Sequence, residues 1–87
     1  MKVYGVSTYL RGIEKQVRVI VAARSEKAAA AAIGISLYEM RTYGSDTSNP
    51  KEITAAMSKP GAVFYKRTNA GESEPYREYV QQQGEAQ

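Results

Sequence analysis

Residues 16–33 read Gln16-Val17-Arg18-Val19-Ile20-Val21-Ala22-Ala23-Arg24-Ser25-Glu26-Lys27-Ala28-Ala29-Ala30-Ala31-Ala32-Ile33, a strand pattern that turns into a helix pattern at one serine. Val17, Val19, Val21 and Ala23 fall on one face, and Gln16, Arg18, Ile20, Ala22 and Arg24 on the other. That period of two, carried by β-branched residues, marks a half-buried strand. Ser25 is a suitable N-cap, and Glu26 suits the positive end of the helix dipole. The following alanine run has the highest helix propensity in the chain and lets a helix lie close on a sheet. Ala29, Ile33, Leu37 and Met40 continue one helical face at spacings of four, four and three, so the spacing predicts a long helix stopping at Gly44. Gly34 in its middle either permits close approach to a strand or breaks the helix.

Upstream, Lys2 to Leu10 is rich in aromatic and β-branched residues and reads as a strand. Arg11-Gly12-Ile13-Glu14 supplies a tight connection, so the first two strands form an antiparallel hairpin. Gly5 marks a bulge or a close backbone approach. Downstream, Ser45 to Asn49 is a polar loop. Asn49-Pro50-Lys51-Glu52 then gives an N-cap, a first-turn proline and a glutamate for a short helix to about Ser58, burying Ile53 and Met57. Lys59-Pro60-Gly61 stops that helix, and Ala62 to Arg67 is a third strand. Tyr76 to Val80 offers a fourth, confined to an edge by Pro75. The expected architecture is α+β: a two-layer antiparallel sheet of three to four strands, with one long and one short helix on one face. Val17, Val19, Val21, Phe64, Ile33, Leu37 and Met40 fill its core. A single domain covers 1–80, and the polar stretch 81–87 is expected to be a disordered tail.

Composition narrows function by exclusion. The 87 residues contain no His, Cys or Trp, which removes the usual zinc sites, cysteine nucleophiles, Ser-His triads and disulfides. Glu14, Glu26, Glu39, Asp46 and Glu52 are scattered without carboxylate-pair spacing, and no glycine-rich phosphate loop occurs. The chain reads as non-enzymatic, without catalytic residue, metal or cofactor. No apolar run approaches the roughly 20 residues of a membrane span, and no signal-peptide core follows Met1-Lys2. A cytoplasmic setting in a bacterial host is expected.

The charge is unevenly placed. Residues 1–71 hold 11 basic and 5 acidic groups, whereas residues 72–87 hold Arg77 against four glutamates. A basic body concentrates acidic partners, nucleic acid or protein, around itself; charge of this size also serves solubility alone. If the valines of the second strand point inward, Arg18 and Arg24 face outward. Tyr9 joins them from the first strand, and Tyr65 and Arg67 from the third if Phe64 is inward. Tyrosines among arginines stack bases, form protein hot spots, or simply line a wet sheet. Tyr9, Arg18, Arg24, Tyr65, Lys66 and Arg67 are the candidate contact residues.

The segment Val17 to Ile33, a valine-rich strand entering an alanine-rich helix through Ala22-Ala23-Arg24-Ser25, resembles in layout the small anti-CRISPR proteins, phage-encoded inhibitors of bacterial immune complexes. The resemblance implies a stoichiometric host-defence inhibitor that docks on a larger protein complex, a CRISPR effector or its nuclease. It transfers no residue position by position. Inhibitors that mimic DNA are acidic, whereas this body is basic, which leaves docking on an acidic protein patch or on bound nucleic acid. Two other readings use the same residues: nonspecific nucleic-acid binding through phosphates, and a homodimer meeting through Ile20 and the outer sheet face.

Overall fold

Alternating residues build strands β1 (Lys2–Thr8) and β2 (Val17–Ala23), paired antiparallel in unbroken register from Lys2 opposite Ala23 to Thr8 opposite Val17. The computed structural model describes residues 1–10, 12–68 and 74–79, so the stretch assigned to a tail, 81–87, lies outside the described residues. Ser25 caps α1 (Glu26–Ile33) by accepting from the Ala28 amide. Helix α2 (Leu37–Tyr43), strand β3 (Gly44–Asp46), helix α3 (Pro50–Met57) and strands β4 (Val63–Arg67) and β5 (Arg77–Tyr79) follow. The sheet order is β3-β1-β2-β4-β5, antiparallel throughout.

The fold is α+β as expected, with five differences in detail. The long helix is two helices. Gly34 adopts φ 94°, and its amide donates to the Ala30 carbonyl, which ends α1. Ser36 and Glu39 then start α2 with a reciprocal capping box. The polar loop after Gly44 contains a three-residue edge strand, held by main-chain pairing to Tyr4, Gly5 and Val6 rather than by any hydrophobic signal. Residues Arg77–Tyr79 do pair with β4, giving five strands.

The fourth difference concerns the layers. Helices cover both faces of the sheet, not one. Tyr4, Val6, Val17, Val19, Val21 and Val63 pack with Ala29, Ala30, Ile33 and Met40 from α1 and α2. Val3, Ile20, Ala22 and Phe64 pack on the opposite face with Ala56 from α3. Phe64 sits opposite Ile20 and therefore faces away from the valines. Ile20 is fully buried and is no dimer contact. Helix α3 is also rotated from expectation: Glu52 and Ala56 are buried, whereas Ile53 and Met57 stay exposed.

Candidate functional site

The parity of β4 separates the candidate residues. Arg18 stands opposite Lys66 on the α3 face, while Tyr65 stands opposite Val19 and Arg67 opposite Val17 on the valine face. Arg24 lies just past β2, exposed beside Lys2, Ser25 and Glu26. Tyr9 is exposed past the end of β1. The six residues therefore form no single surface. Arg18 and Lys66 form one group and Tyr65 and Arg67 another, with different chemistry, while Tyr9 and Arg24 join neither.

On the α3 face, Arg18 is committed to the fold. Its Nε donates to Glu52 Oε2 at 2.9 Å and its Nη2 to Oε1 at 3.1 Å, a bidentate pair. Thr47 Oγ1 donates to Oε1 at 2.7 Å, and the Tyr76 hydroxyl donates to Oε2. Burial pushes the Glu52 carboxyl up, but hydrogen bonds from Arg18, Tyr76 and Thr47, with the Arg18 charge, hold it down to about 2. Burial and the bond to Glu52 push the Tyr76 phenol up. A carboxylate saturated by four bonds and held ionised is poorly suited to move protons. Gly5 serves the same clamp. A Cβ there would lie 2.7 Å from the Arg18 Cζ, so the expected close approach is by a side chain, and no bulge is present. Lys66 turns to the Tyr76 ring, its Nζ 5.0 Å from the centroid.

On the valine face, α1 and α2 cover the centre of the sheet and leave the β4–β5 wing half open. Tyr65 and Tyr79 are half-buried at the border of the core, their ring centroids 6.1 Å apart and nearly perpendicular. Arg77 pairs across the strands with Tyr65, and Arg67 follows two residues along β4, so all four side chains share one face. Both arginines are exposed. Arg67 Nη2 donates to Glu74 Oε1 at 2.8 Å, and this bond, with the charges of Arg67, Arg77 and Lys66, keeps the half-buried Glu74 carboxyl below its ordinary value. A shallow depression of about 280 Å³ is lined by Tyr65, Lys66, Arg67, Glu74 and Arg77.

Arg77, Tyr79 and Glu74 were absent from the candidate residues read from the sequence. A signal existed: Tyr65-x-Arg67 and Arg77-x-Tyr79 are mirror patterns, which antiparallel pairing brings onto one face. Among the described residues no cluster of three or more acidic side chains is arranged to hold a metal, and no helix is long and apolar enough to cross a membrane. Searches against family models, curated proteins and solved structures gave no match.

Proposed function

We propose that this chain is a non-enzymatic binding protein that docks on a larger, acid-bearing partner through its β4–β5 wing. The observation that carries this reading is the grouping of Tyr65, Tyr79, Arg67 and Arg77 on the part of the sheet left half open by α1 and α2. Tyrosine supplies large contact area at low conformational cost, arginine supplies charge, and both are enriched at binding hot spots. The α3 face supports this role less, since Arg18 is held by Glu52 and Ile20 is buried. The layout resemblance of Val17–Ile33 to anti-CRISPR proteins makes a CRISPR effector complex in a bacterial cytoplasm the first partner to test, with a phage origin for the chain.

The test is co-purification of the tagged protein with purified CRISPR effector complexes, alongside an Arg67→Glu/Arg77→Glu variant. Retention of a complex by the wild type and its loss in the variant, with an unchanged circular dichroism spectrum, is the expected result. Equal retention by both proteins removes the wing from the docking face. Arg18 is unsuitable for this test, because reversing its charge would set two carboxylates against each other in a buried clamp.

A further inference from the structure

We propose, resting on the reading of the β4–β5 wing as the docking face, that the depression lined by Tyr65, Lys66, Arg67, Glu74 and Arg77 takes single-stranded nucleic acid, with Glu74 as a built-in competitor for its phosphates. Among the described lining residues, Arg67 and Arg77 share the face with Glu74, and Lys66 borders the depression with its ammonium turned to the Tyr76 ring, so the lining is electropositive and already holds an anionic group. Glu74 occupies the position a phosphate oxygen would take: it accepts from Arg67 at 2.8 Å and lies in the field of Arg77 and Lys66. The Glu74 side chain is half-buried while its partner Arg67 is exposed, and an ion pair open to water on one side is weak, so an incoming phosphate displaces the carboxylate at small cost.

The aromatic half of the site selects unpaired bases. Tyr65 and Tyr79 stand together beside the arginines on an open sheet face, and a half-exposed phenol ring there can stack on a base turned out of a strand. Paired bases inside a duplex present no free face to such a ring. An acidic peptide without aromatic groups, such as polyglutamate, would use the cations and leave the rings unstacked. The pattern of i, i+2 tyrosine and arginine on two adjacent strands sets rings and charges side by side, as a backbone with bases on one side requires. Stacking is tolerant of sequence, so the binding is expected to be nonspecific.

The experiment is fluorescence anisotropy of a labelled twelve-nucleotide oligothymidine with the full chain at about 50 and 200 mM salt. Two phosphate contacts, from Arg67 and Arg77, with the single-strand slope predict a loss of roughly sevenfold across that range. Glu74→Gln should tighten binding by about two- to fivefold, the worth of one exposed ion pair. Arg67→Gln/Arg77→Gln should weaken binding and flatten its salt dependence. Tyr65→Ala should cost at least about fivefold, and Tyr65→Phe, which keeps the ring, should retain most affinity. The proposal is overturned if neither wild type nor Glu74→Gln binds at the lower salt, or if Glu74→Gln weakens binding. A duplex of equal length bound as tightly, or a polyglutamate peptide displacing the oligonucleotide at equal charge concentration, also overturns it. If the oligonucleotide fails while a purified complex is still lost on reversing Arg67 and Arg77, the docking face stands and only its nucleic-acid occupant is removed.

Discussion

Glu52 is the one charged side chain buried among the described residues, and β2, the loop after β3, α3 and the approach to β5 all meet on it. Removing its cation with Arg18→Met leaves a buried carboxylate against two hydroxyls, and about 3 kcal/mol of stability should go with it. For a domain of this size that lowers the melting temperature by more than about 10 °C. Adding Glu52→Leu to that variant should recover part of the loss, because it removes the uncompensated charge but leaves the Thr47 and Tyr76 hydroxyls without their acceptor. The carboxyl also sets a pH dependence. Unfolded chains bind a proton at this group near its ordinary 4.5, whereas the folded form holds it down to about 2. Between those values the unfolded state binds more protons, so stability is full above about pH 5 and on the order of 2–3 kcal/mol is lost as pH falls toward 2. Thermal melts of wild type against Glu52→Gln should show that difference in slope, and parallel curves would contradict it. Gly5→Ala probes the same clamp from β1: its methyl would strike an Arg18 guanidinium pinned by Glu52, at a cost of about 1–3 kcal/mol.

Among the elements, Gly34 separates two accounts of the first helical region by the sign of one mutation. In a continuous helix, Gly34→Ala would stabilise by about 1 kcal/mol through propensity. With Gly34 at φ 94° ending α1, the same change should destabilise by about 1–2 kcal/mol, measurable by urea unfolding. Strands β1, β2 and β4 and the Asn49-capped α3 were legible because alternation, turns and caps are local signals. The covered second face was less legible, though its trace is present. Strand β2 is apolar on both sides, Val17, Val19 and Val21 against Ile20 and Ala22, as a strand buried between two layers should be. The facing of β4 escaped for a related reason: Val63, Phe64 and Tyr65 are all apolar or aromatic, so composition fixes no inward side and pairing with β2 decides it. Glu52 turning inward depends on Arg18, 34 residues away, and no local pattern carries that. Strand β3, Gly44-Ser45-Asp46, has no side-chain signal at all.

At the scale of the whole molecule, the two helical coverings divide the surface by role. Helix α3 seals Ile20 and Phe64 and draws Arg18 into the structure, while α1 and α2 stop short of the β4–β5 wing. The candidate residues read from the sequence divide accordingly: Arg18 stabilises, Tyr65 and Arg67 stand on the wing, and Lys66 lines its edge. On the proposed reading, the basic body supplies long-range attraction and the wing supplies the geometry. Amide chemical-shift mapping of the isotope-labelled protein, titrated with the twelve-nucleotide oligothymidine at low salt, tests this division most directly. The expected shifts concentrate at Tyr65, Arg67, Arg77 and Tyr79, with those around Arg18 and Glu52 unmoved. Shifts centred on α3 or on Arg24, or none at saturating oligonucleotide, would contradict it.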